Sequence, residues 1–238
     1  MCVQSQHLST MLLCDGKRGL AVLTAFLDES GTHAGAPVVA VAGFYGNAEQ
    51  WRAFRRMWEP HSADFHAKDK SRKYPILVEA IDSSGINGIL VTLGKNSYRA
   101  NSTAQMISQL GNEYSLCAFE CALGICRFAD SPTAFVFEQG QPNFKFVMGV
   151  LLDMLDAGDT RISSVTPARK EDFIELHPAD FVSHLASSHD KPWLQKLFDL
   201  HRLKHAYIED RMLSELGPQL KQMIAKARRE RQKAREKR

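Results

Sequence analysis

The sequence lacks any apolar run of the roughly 18–20 residues that a membrane span requires. Its first twenty residues carry no basic region ahead of an apolar stretch, so no signal peptide is expected, and Met11 offers an alternative start. Cysteine is scarce and odd in number: Cys2, Cys14, Cys117, Cys121 and Cys126. No C-x-x-C pair with partner histidines is present, which argues against a structural zinc site. Cys117 and Cys121 lie one turn apart in an apolar stretch and are expected to be free, buried thiols in a reducing cytoplasm. Also missing are a P-loop, a G-x-G-x-x-G and a G-x-S-x-G. Nucleotide-driven motors, dinucleotide enzymes and serine hydrolases are therefore not expected. No helix-turn-helix signature, zinc-finger spacing or aromatic-interleaved basic strand marks a simple nucleic-acid reader.

What is present is a chain of 238 residues, 44% apolar, enough for one sizeable core. The net charge of +3 is unevenly placed. Residues 221–238 hold nine Lys/Arg and two Glu, which leaves the body of the chain at −4. That last stretch is charged all round and cannot bury a face, so a protruding helix or a disordered tail is expected over 218–238. Residues 1–19 form a leader without pattern, and the folded domain is expected over 20–217.

Within that domain the patterning alternates. LAVLTAFLD (20–28) and VVAVAGFY (38–45) are apolar runs joined by turn formers, which predicts a hairpin. Asn47 caps a helix through 58, with Trp51, Phe54 and Trp58 on one face. A polar loop carrying FHAKDK follows. A short helix is expected over 74–81, a strand over 86–93, one long helix over 102–128, a strand over 133–138, a helix over 143–155 and a strand over 161–166. A helix opens at 178–187, and the C-terminal third is expected to be helical. A hairpin followed by alternating strands and helices implies an α/β fold, a mixed sheet flanked by helices.

Three carboxylates stand beside apolar runs: Asp28 ends the first strand, Glu138 ends the fourth, and Asp180 sits near a helix start in ELHPADFVSHLA. Burying a carboxylate is costly unless it is paired or metal-bound. Hard oxygen ligands of this kind suit Mg²⁺ or Mn²⁺. Glu29 points to the opposite strand face from Asp28 unless the backbone turns, and Ser30-Gly31 supply a turn. His177 lies three residues before Asp180, and His66 three before Asp69, so each pair can share a side. Lys68, Lys70, Arg72 and Lys73 surround the second pair, either as phosphate contacts or as a solvated loop. The same two readings apply to Arg228, Arg229 and Arg231 in the tail.

LDESG, FHAKD, FEQG and ELHPADFVSHLA, in this order over about residues 22–190, resemble the bacterial and phage domain-of-unknown-function family 3800, a family similar to ribonuclease H-like proteins. The resemblance implies a ribonuclease H-like nuclease acting on DNA or RNA, with a role in phage defence or mobile-element biology. Residue by residue, it makes Asp28, Glu138 and Asp180 metal ligands and catalytic residues. Asp28 would bridge two ions about 3.5–4 Å apart, with Glu138 and Asp180 holding one each. His66 or His177 would orient the water or protonate the leaving group. Glu29 and Asp69 are secondary candidates. The pair His177-x-x-Asp180 is similar to the end of Holliday-junction resolvases. The family often has Leu-Gln-x-Ala-Asp where this chain has Leu176-His177-Pro178-Ala179-Asp180, which opens the role of His177. A phosphoesterase for a small substrate, a catalytically silent binding module and a non-enzymatic binder working through the basic tail are the competing function classes.

Overall fold

The computed structural model describes residues 22–69, 71–102, 107, 111–140, 143–188, 191–213 and, beyond these, 222, 225–226, 229–230 and 232–233. The expected leader, Lys70, Arg228, Arg231 and most of the tail lie outside the described residues.

The hairpin forms as β1 (Leu23–Ser30) and β2 (Val38–Gly46), antiparallel, with Asp28 opposite Ala42. β3 (Asn87–Gly94) adds antiparallel to β2. β4 (Thr133–Glu138) pairs parallel with β1, and β5 (Ile162–Ala168) pairs parallel with β4. The sixth strand, β6 (Leu203–Ile208), lies parallel to β3 and overturns the expectation of a helical C-terminal third. Only Leu203 and Ile208 of β6 are buried. An edge strand needs little apolar surface, so its sequence carries no period-two signal strong enough to separate it from a helix. The sheet order is β5-β4-β1-β2-β3-β6.

Helices cover both faces. On one face pack α1 (Ala48–Trp58), α2 (Tyr74–Ser84), α6 (His177–Ser188) and α7 (Lys191–Asp199). On the other pack α4 (Glu113–Phe128) and α5 (Phe144–Asp156). Asn47 caps α1 through a complete capping box with Gln50, as its spacing predicts. The expected single helix over 102–128 is a different structure. A short α3 (Lys95–Asn101) ends at Ser102, Gly111 takes φ +77°, and Asn112 caps a new helix by accepting from Ser115 N. The left-handed Gly111 and the Asn112 side chain compete with helix continuation, which the apolar periodicity of the flanks conceals. Cys117, Cys121 and Cys126 are free and buried on α4. Among the described residues no helix is long and apolar enough to cross a membrane.

Candidate metal centre

The parallel pairing of β1 with β4 sets the site. Leu27 lies opposite Phe137, so one step further Asp28 comes beside Glu138 at the carboxyl ends of both strands. Phe26 and Val136, two residues earlier, belong to the core under α6, and strand alternation puts Asp28 and Glu138 on that same face. In open α/β sheets, ligands bind outside the carboxyl ends of the strands. Asp28 is 2% exposed. Its Oδ1 accepts a 2.7 Å hydrogen bond from Glu29 N, while its buried Oδ2 receives no directed hydrogen bond.

Glu29 alternates toward the opposite face, as the sequence implies, yet its carboxylate returns to the cluster. One oxygen each from Asp28, Glu29 and Glu138 lie within 4.8 Å of one another. The strand ends one residue later at Ser30, and Gly31 takes φ +76°. Three carboxylates on so small a perimeter repel one another unless a cation joins them.

Asp180 faces the cluster from the first turn of α6. Its Oδ2 accepts from Ala67 N at 3.0 Å, and its Oδ1 lies 3.1 Å from Lys170 Nζ. The same ammonium is 2.7 Å from Asp28 Oδ2, an ion pair rather than a directed hydrogen bond. Lys170 sits in the turn after β5 with its side chain 13% exposed. Sequence reasoning missed it. ARKED looks like a solvated turn, and nothing local signals an ion pair across the fold.

The electrostatics follow from this crowding. Burial pushes the Asp28 carboxyl up; the Lys170 ammonium pulls it down, while Asp180 and Glu138 push it further up. Burial also raises Glu138, against Lys170 and its contact with Asp28. For Lys170 burial acts downward, but the carboxylates of Asp28, Asp180 and Glu138 outweigh it and keep the ammonium charged. Tyr114, in the first turn of α4, is raised by burial and then by Glu29, Asp28 and Glu138.

The two histidines occupy different surroundings. His177 is buried between Trp58 and Phe65, and its Nδ1 accepts the Trp58 indole N–H at 2.9 Å. Burial holds its pKa down to about 4, so the ring is neutral with its proton on Nε2. His66, Lys68 and Asp69 are exposed, as is Arg72. The FHAKD segment meets the site through its backbone, by Ala67 N on Asp180, and Tyr74 Oη holds Ala67 O at 2.6 Å. Lys73 Nζ is engaged by the carbonyls of His61 and Ala63. Beside Glu138 opens a cleft of about 460 Å³, lined by Glu138, Gln139, Arg169, Glu171 and Asp172.

The sequence matches no protein-family profile and no curated protein. Solved structures do resemble the fold. Ribonuclease H2 from Pyrococcus horikoshii OT3 aligns with a TM-score of 0.50 at 9% identity, over 90% of this chain and 99% of that one. RNase HII from Archaeoglobus fulgidus, solved in complex with PCNA, aligns at 0.48 and 17% identity, over 87% and 91%. Bst-RNase HIII, solved with Mn²⁺, aligns at 0.46 and 11% identity, over 98% and 82%. With the six-stranded mixed sheet and its flanking helices, the Pyrococcus match shows a ribonuclease H-like α/β fold.

Proposed function

We propose that the chain is a divalent-metal-dependent nuclease that hydrolyses a phosphodiester of DNA or RNA, of the kind the resemblance to domain-of-unknown-function family 3800 implies. The observation that carries this reading is the convergence of Asp28, Glu29 and Glu138 at the carboxyl ends of two adjacent parallel strands. The donor set fits Mg²⁺ or Mn²⁺, because it consists of carboxylate oxygens only. Asp28, Glu29 and Glu138 would hold the ion. When bound, it supplies a positive charge on a phosphate oxygen and a water acidic enough to be deprotonated near neutral pH.

The remaining residues hold and shape the site. Asp180 fixes Lys170 and is itself fixed by Ala67 N. His177 carries its one proton on Nε2 and is locked by Trp58, so it acts as a rigid neutral donor rather than as a base. His66, exposed at the segment that docks on Asp180, remains the imidazole available for proton transfer. Arg169 in the cleft and the exposed Lys68 and Arg72 would meet backbone phosphates.

The test is cleavage of labelled single- and double-stranded DNA and RNA with Mg²⁺ or Mn²⁺, with a chelator as control. Cleavage that vanishes with the chelator and in Glu138→Gln is the expected result. Hydrolysis of a nucleotide ester with no action on any polymer would instead favour a small-substrate phosphoesterase. Failure of the protein to bind either ion would leave a ribonuclease H-like binding module.

A further inference from the structure

Asp180 stands outside the group of oxygens that close on one point, which is formed by Asp28, Glu29 and Glu138. Between Asp28 and Asp180, where the resemblance implies a second ion, lies the Lys170 ammonium, 2.7 Å from Asp28 Oδ2 and 3.1 Å from Asp180 Oδ1. We propose that Lys170 replaces the second metal, so that the site takes one divalent cation on Asp28, Glu29 and Glu138 and keeps Lys170 as a resident cation on the Asp28–Asp180 side. This rests on the metal-dependent reading above.

Geometry excludes joint occupancy. An ion bound to the same two oxygens would sit about 2.0–2.1 Å from each. It would overlap a nitrogen already lying against both. The lysine is held rather than loosely placed. Its side chain is 13% exposed, and the turn that carries it is closed by Asp172 N donating to Arg169 O and Phe173 N donating to Lys170 O. Five residues on, the buried Glu175 pairs with Arg55 of α1 and anchors the segment to the helical layer.

A fixed ammonium can do what the second ion does in a two-ion clamp. It presents a positive charge and N–H donors toward the oxygen on which negative charge develops. Unlike an ion, it needs no loading, so its contribution is independent of metal concentration.

The experiment counts Mn²⁺ bound per full-length chain, by equilibrium dialysis or electron paramagnetic resonance. The wild-type protein is expected to bind one ion. Lys170→Ala is expected to bind two, and Lys170→Ala combined with Asp180→Asn one again. Two ions on the wild type, or one on Lys170→Ala, would overturn the lysine proposal and leave the metal reading standing. No ion on the wild type would overturn both. Asp180→Asn alone keeps the test open if Lys170→Ala does not fold. It should retain the one Mn²⁺ of the wild type, and loss of that ion would overturn the proposal.

Discussion

Asp28 concentrates the tension of the site in one side chain. It is buried, sits beside two further carboxylates, and is balanced by one ammonium. Asp28→Asn keeps the shape and removes a charge. Metal-dependent cleavage and Mn²⁺ binding should be abolished. The metal-free protein should stay folded, because the lost Lys170 ion pair is set against relieved repulsion from Glu138 and Asp180, which remain to balance the ammonium. Full cleavage by a folded Asp28→Asn chain would sink the proposed centre. His177 gives a second residue-scale prediction, with the opposite dependence on protons. Its folded pKa is held down to about 4 from 6.5, so the unfolded chain takes up a proton first as pH falls. Its stabilising contribution is present above about pH 6.5 and is lost as the pH falls toward 4, amounting to about 3 kcal/mol at full loss. Asp28 and Glu138, whose pKa values are raised, act the other way over part of that range, so the comparison that isolates His177 is wild type against His177→Gln. Gln can still accept from the Trp58 indole. Urea midpoints from pH 7.5 to 4.5 should fall less steeply for the variant, and identical slopes would remove the imidazole from the acid limb.

At the scale of elements, β1 with its turn was legible because two local signals agree. An apolar run ends in a carboxylate, and a glycine follows three residues later. Gly31 takes φ +76°, and a Cβ there would lie 2.0 Å from Val38 O, a backbone atom with nowhere to go. Gly31→Ala should therefore cost about 1–3 kcal/mol. It should also weaken Mn²⁺ binding, since the strand end that lets Glu29 return to the cluster must shift. A chemical-denaturation curve paired with a Mn²⁺ titration checks both, and an unchanged midpoint would mean the turn relaxes freely. The placement of Asp28 beside Glu138 was likewise open to sequence reasoning, because both end strands of the same type. Lys170 was not, since its partners lie 142 residues before it and 10 after it, and only the tertiary fold joins them. Nor was β6, whose four middle residues face solvent. The break at Gly111-Asn112 was present in the letters but was overridden by apolar spacing on either side.

For the whole molecule, the sheet and the charge distribution pull apart. The carboxyl ends of β1 and β4 form an acidic centre, and the chain without residues 221–238 carries a balance of −4. A body of that sign repels a polyanion at long range, and the nine basic residues of the last stretch reverse it. Among the described positions there, Lys226, Arg229 and Lys233 are exposed, with Lys226 Nζ 3.9 Å from Glu230. An exposed pair at that distance contributes little and leaves the lysine available to a phosphate. Deleting residues 221–238 should weaken binding to duplex DNA or RNA while leaving the Mn²⁺ count unchanged, because the metal ligands all belong to the sheet and its loops. Each phosphate neutralised adds about 0.9 to the slope of log K against log salt on duplex DNA. Loss of a few contacts should lower that slope by roughly two. Isotherms of the full-length and truncated chains at several salt concentrations separate the two roles of the tail. A smaller slope for the truncated chain assigns the tail to phosphate contact, and parallel lines assign it to solubility or to docking on another surface.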